Sequence, residues 1–225
     1  MALPRNSENA RSSKSSSSTS RSLSPPRTKA ALKFSFLSLF PDFLQAGLEF
    51  SILGRAAKSG LLKFQFIQIR DFATDRHRTV DATPYGGGEG MVLRADILLA
   101  AWKKALPRKS KQACTVMLSP QGRRLDRDLV LELSQYKHLV FVCGHYEGVD
   151  ARFIEKCVDL EVSIGDYVLT GGELPALVLT DAIARRIPGV VGKEGSVLND
   201  SLEDGLLKYP QYTRPENFRG MKVPE

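Results

Sequence analysis

The stretch His138-Leu139-Val140-Phe141-Val142-Cys143-Gly144-His145-Tyr146-Glu147-Gly148-Val149-Asp150 passes from a continuous apolar run into a glycine-rich polar loop, and then into a helical pattern over 150–157. An apolar run of that length without polar alternation suits a strand covered on both faces, as in a parallel sheet. The same pattern recurs on either side. Upstream, residues 114–118 form a short apolar strand ending in Ser119-Pro120-Gln121-Gly122, which reads as a turn, followed by a helix over 129–136. Downstream, a strand near 160–163 ends in Ile164-Gly165-Asp166-Tyr167, and a strong helix covers 174–187 before Pro188-Gly189.

Further out, Leu32, Phe34, Phe36 and Leu39 around Lys33, Ser35 and Ser38 form a first strand, closed by Pro41-Asp42. A short helix over 52–58 ends at Gly60, a residue suited to a left-handed cap. Leu62-Lys63-Phe64-Gln65-Phe66 alternates at period two, which is strand-like. Residues 70–90 are a polar, glycine-rich loop, and the spacing predicts a helix over 92–104, stopped before Pro107. No period survives from 192 to 225. Alternating strands and helices with apolar inner strands predict an α/β domain, its mostly parallel sheet flanked by helices. Such sheets bind ligands beyond the carboxyl ends of their strands. Here those ends are 119–122, 144–148 and 164–167, all rich in glycine and polar residues, so a ligand pocket is expected there.

The net charge of +7 is unevenly placed. Residues 1–30 hold six basic residues and only Glu8 as an acid, so the high isoelectric point is mostly a property of this segment. Its ten serines and Pro25-Pro26 predict a disordered extension. Its Ser- and Arg-rich character also fits an organelle transit peptide, although the large hydrophobes of an amphipathic transit helix are scarce. Cys114, Cys143 and Cys157 are odd in number and far apart. They support neither a disulfide framework nor a zinc site, and read as small buried hydrophobes in a reducing compartment. No apolar run reaches the roughly 18–20 residues of a membrane helix. A soluble, cytoplasmic protein without membrane association is expected.

Several segments have two readings. Pro84-Tyr85-Gly86-Gly87-Gly88-Glu89-Gly90 lets the backbone approach a ligand, yet lacks the Lys-Ser/Thr of a phosphate loop and suits a hinge equally well. Arg185 lies four residues after Asp181, the spacing of an ion pair on one helix face. Asp200 sits in an aperiodic stretch where capping a helical turn is the plain role. Asp75-Arg76-His77-Arg78 reads as a solvated charged loop.

Five strings occur in order: Tyr85-Gly86-Gly87-Gly88, residues 144–150, Ser163-Ile164-Gly165-Asp166-Tyr167-Val168-Leu169, Gly171-Gly172-Glu173-Leu174-Pro175 and Tyr212-Thr213-Arg214-Pro215. With Asp71-Phe72, residues 75–78 and 119–123, they resemble the TrmD family over about residues 33–225. These are bacterial tRNA (guanine-N1)-methyltransferases of the SpoU–TrmD (SPOUT) superfamily. The resemblance implies methylation of guanine N1 at tRNA position 37, next to the anticodon. It also implies a C-terminal deep trefoil knot and an obligate homodimer with shared pockets. S-adenosylmethionine would be held by Pro120, Gly144, Tyr146, Glu147, Gly148, Ile164, Gly165, Asp166, Tyr167, Val168, Leu169, Gly172 and Pro175. By the same resemblance Asp200, from the partner subunit, is the base, and Arg185 steadies the developing charge. Family members often depend on magnesium, although the sequence shows no carboxylate cage for that ion.

The resemblance divides the chain into an extension (1–32), a methyltransferase domain (33–192) and a linker leading into a tRNA-binding region (193–225). Family members continue past the segment matching 221–225 with a helical domain that grips tRNA. Two other readings therefore remain open: a donor-binding but catalytically weak RNA-binding protein, and a methyltransferase of the same superfamily acting on another RNA.

Overall fold

The computed structural model describes residues 31–192, Ser201 and 207–224. Its first strand, β1 (Leu32–Ser38), sends Phe34 and Phe36 to one face and Ser35 and Leu37 to the other. Two helices follow, α1 (Pro41–Leu48) and α2 (Ser51–Lys58), and then β2 (Leu62–Gln68). A 3-10 turn over Ile69–Phe72 leads to two short strands, β3 (Asp81–Ala82) and β4 (Val92–Leu93). The chain continues through α3 (Ala95–Ala105), β5 (Ala113–Arg124), α4 (Arg127–Leu133), β6 (His138–Cys143), α5 (Ala151–Cys157), β7 (Leu160–Ser163) and α6 (Glu173–Ala184). Near the end, β8 (Asn217–Phe218) and β9 (Met221–Lys222) pair as a hairpin.

β2, β1, β6, β5 and β7, in that order, form one five-stranded sheet in which every pairing is parallel. Alternation along its strands builds two cores. Phe34, Phe36, Val116, Leu118, Leu139 and Phe141 pack with α1, α2, α4 and α6. Leu37, Ile67, Met117, Val140 and Val142 pack with α3 and α5 on the opposite face. The expected α/β architecture, a parallel sheet between helical layers, is therefore present. All three cysteines are free and buried, and burial pushes the Cys114 thiol up to about 12.

Several expectations need correcting: the helix expected over 129–136 is Arg127–Leu133, that over 174–187 stops at Ala184, and the segments over 70–90 and 192–225 contain β3 and the β8–β9 hairpin. Pro41-Asp42 does not simply close β1: Pro41 opens α1, because a first-turn position needs no N–H and favours the fixed φ of proline. The helix expected over 92–104 begins later, at Ala95, since Val92 and Leu93 are taken by β4 in pairing with β3. The strand expected over 114–118 does not end there. β5 continues to Arg124 through an irregularity: Leu118 and Arg123 both pair with Val162, and residues 119–122 bulge out between them. The α2 ending was read correctly, with Gly60 in the left-handed region at φ +78°.

Candidate active site

The strand order decides where a ligand can sit. β6, β5 and β7 are neighbours, so their carboxyl-terminal loops converge on one cleft of about 640 Å³. The bulge of β5 gives Ser119, Pro120 and Gln121, with the Gln121 amide donating to Ser119 Oγ at 3.2 Å. Gly122 ends this bulge against β7, where a Cβ would stand 2.4 Å from the Val162 amide nitrogen. Only glycine fits that approach.

The loop after β6 supplies Gly144, His145, Tyr146, Glu147 and Gly148. Tyr146 adopts φ +61°, a left-handed conformation uncommon outside glycine and one found at ligand sites. Its hydroxyl accepts from Arg70 Nη2 at 3.4 Å. The loop is tied to β4: the Glu147 amide donates to the Met91 carbonyl, the Leu93 amide to Gly148, and the Asp150 amide to Leu93. Asp150 caps α5 and is bonded to Arg152, which holds its carboxyl below the usual range.

After β7, Ser163 Oγ donates to the Gly165 carbonyl at 3.0 Å, and the Gly165 amide comes within 3.2 Å of the same oxygen. Ile164, Gly165, Tyr167, Val168 and Leu169 line this wall. The chain then turns back, and the Gly172 amide donates to the Gly144 carbonyl at 3.0 Å. Gly172 and Pro175 close the cleft at the start of α6. A Cβ on Gly172 would stand 2.6 Å from the Cys143 Cα, so here too the backbone packs directly on backbone.

Of the residues expected to hold a ligand, only Asp166 is absent from the lining; it points to solvent and pairs with Arg124 at 3.6 Å. Arg185 does not join the cleft of its own chain. It caps the far end of α6, its amide bonded to the Asp181 carbonyl, about 18 Å along the helix from Glu173 at 1.5 Å per residue. Asp200 lies outside the described residues. Asp75, read as part of a solvated loop, does more: it accepts from the His77 amide and from the Thr79 amide and hydroxyl, which lowers its pKa.

One feature of the cleft had no sequence signal. His145 Nε2 lies 2.8 Å from Glu173 Oε2, and Ser38 Oγ donates to Glu173 Oε1 at 2.6 Å. These residues are far apart in sequence; His145 and Glu173 each stand in one of the five strings quoted above, but nothing local pairs them with each other or with Ser38. Among the described residues, no three His, Cys, Asp or Glu side chains converge on a metal position, and no helix is long and apolar enough to cross a membrane.

Comparison with known proteins gives the cleft its context. A family model described as tRNA (Guanine-1)-methyltransferase TrmD matches residues 32–225. A tRNA (guanine-N(1)-)-methyltransferase of Carboxydothermus hydrogenoformans is 50% identical over 194 residues, covering 86% of this chain and 76% of that one. One from Geobacter sulfurreducens is 51% identical over 193 residues, covering 86% and 78%. The crystal structure of a tRNA (m1G37) methyltransferase from Aquifex aeolicus superposes with a TM-score of 0.72 at 37% identity, covering 86% and 81%. The chain carrying this cleft belongs to the tRNA (guanine-1)-methyltransferase TrmD family.

Proposed function

We propose that the chain transfers the methyl group of S-adenosylmethionine to N1 of guanine at position 37 of tRNA. The observation that carries this reading is the cleft itself. Three strand-end loops, predicted from the sequence as a ligand pocket, close around a volume in the range of small-molecule sites. They do so in a chain that is about half identical, over the aligned 86% of its length, to named tRNA (guanine-N(1)-)-methyltransferases.

When bound, S-adenosylmethionine supplies an electrophilic sulfonium methyl. The glycines at 144, 148, 165 and 172 let backbone amides and carbonyls approach it, while Pro120, Tyr146, Ile164, Tyr167, Leu169 and Pro175 give apolar walls. Orientation of this kind is a large part of rate enhancement in a two-substrate reaction. Guanine N1 carries a proton at neutral pH and is a poor nucleophile. Asp200 accepts that proton as general base, worth about 10²–10⁴ in rate. Arg185 steadies the negative charge that develops on O6, on the order of 3 kcal/mol for one preorganised donor.

The reading includes a homodimer in which Asp200 comes from the partner subunit. The long separation of Arg185 from its own chain's donor cleft supports a site assembled from two chains. It also includes the trefoil knot that the family resemblance implies. The division at residues 32/33 and 192/193 and a cytoplasmic location belong to the same proposal. Among the described residues, no group of three or more His, Cys, Asp or Glu side chains forms a position for a magnesium ion. The test is methyl transfer from labelled donor to a tRNA transcript with G at position 37, against one with A there. Equal labelling of both, or labelling of neither, overturns the proposal.

A further inference from the structure

Glu173 is a buried carboxylate, 6% exposed, at the first position of α6. Burying a charge is costly unless every lone pair finds a partner. Here both oxygens are used: Ser38, fully buried, donates to Oε1, and His145 Nε2 faces Oε2. The Phe40 amide in turn donates to Ser38 Oγ at 2.8 Å, which completes a relay from main chain to carboxylate. The amino end of α6 adds a favourable field for the negative charge. An apolar side chain of the same size would fill this space without any such requirement. The network therefore does something that packing alone does not ask for.

Its three members come from the end of β1, the loop after β6 and the start of α6. The last two segments are walls of the cleft. His145 is the hinge of the arrangement: its ring lies edge-on to Phe40 at 5.2 Å, and its backbone precedes Tyr146, the left-handed residue of the loop. Gly171 lies so close over the pair that a Cβ there would stand 2.3 Å from His145 Cε1 and 2.6 Å from Glu173 Oε2. A shift of either side chain therefore moves the 144–148 loop or the 171–172 turn, which are already joined by the bond from the Gly172 amide to the Gly144 carbonyl. We propose that Glu173 and His145 are a positioning pair that sets the shape of the donor cleft, holding the loop after β6 for S-adenosylmethionine without contacting the guanine. The inference rests on the donor reading given above.

The experiment measures S-adenosylmethionine and S-adenosylhomocysteine binding by calorimetry, together with kcat and both KM values, for the whole chain. Glu173→Ala and His145→Ala are expected to weaken donor binding and raise donor KM roughly ten- to a hundredfold, the cost of an unpaired buried group expressed in affinity. The tRNA KM should stay within about twofold, because the network reaches only donor-side loops. His145→Gln restores an N–H at nearly the same reach and should recover most of the donor affinity. Failure of Glu173→Ala to fold leaves the two His145 variants to decide. Unchanged donor affinity in folded His145→Ala overturns the pair, as does an equal rise in both KM values or a His145→Gln no better than alanine. Wild-type protein that binds no donor overturns the donor reading and the pair with it.

Discussion

Among single residues, the two that carry the proposed chemistry also had the strongest plain alternatives. Asp200→Asn separates them. As a general base Asp200 has no substitute in asparagine, so turnover should fall by about two to four orders of magnitude while donor affinity holds. Raising the pH should recover part of the loss, because solvent then takes the N1 proton. As a helix cap, asparagine would serve nearly as well as aspartate. Turnover near wild type would therefore leave only the cap. Arg185→Lys keeps the charge but loses the planar, two-pronged donor, and should cut kcat with little change in donor KM. A third residue tests the fold beneath the chemistry. Gly172→Ala places a methyl 2.6 Å from the Cys143 Cα, backbone that cannot rotate away. A thermal scan should show a loss of about 1–3 kcal/mol, the usual range for overpacked core sites, or failure to fold.

Among elements, legibility followed the chemistry of each boundary. β6 was readable to the residue, because the apolar run that follows His138 ends abruptly where Gly144 begins. α1 was missed because proline both stops strands and starts helices, and the sequence around Pro41 holds no side-chain cap to distinguish the two. The far part of β5 was missed because Pro120 and Gly122 mark turns in isolation, whereas here β7 pairs with both sides of the bulge. Pairing of that kind depends on residues forty positions away. The three loops of the cleft were legible for the opposite reason: their composition is local. The Glu173–His145 contact was not, since only the return of the chain over Gly144 creates it.

The amino edge of the sheet carries its own prediction. His138 Nε2 lies 2.8 Å from Ser35 Oγ, which donates to Gln65 Oε1, so β6, β1 and β2 are linked through one polar chain. Burial, with Lys33 nearby, lowers the His138 pKa to about 4. An unfolded histidine titrates near 6.5. Between these values the unfolded chain takes up a proton that the folded chain refuses, so acidification favours unfolding. The contribution is complete above pH 6.5, falls away from there down to about pH 4, and is constant below. Denaturation with urea at pH 7 and pH 5 should show a loss in wild type that is smaller in His138→Gln. Equal losses in the two proteins would mean that His138 titrates as an exposed group does.

At the scale of the whole molecule, the proposed reaction draws on a cleft and an arginine that lie at opposite ends of α6. Leu174 and Val178, one turn apart on that helix, stay exposed, as do Phe40, Phe43 and Phe50 around α1. A group of large exposed apolar residues is uncommon on a monomer and suits an interface between copies. Val178→Glu should therefore shift light scattering from dimer towards monomer and reduce turnover with it. Mixing two inactive variants gives the sharper result. In a dimer of Arg185→Ala with Asp200→Asn, one site combines both defects. The other joins an intact Arg185 to an intact Asp200 from the neighbouring chain. Random pairing makes half of the dimers mixed, each with one working site, so an equimolar mixture refolded together should recover about one quarter of wild-type turnover. If Arg185 and Asp200 instead reached a site from the same chain, every site in the mixture would carry one defect. Turnover would then stay at the level of the separate variants, and the assignment of the two residues to opposite subunits would have to be given up.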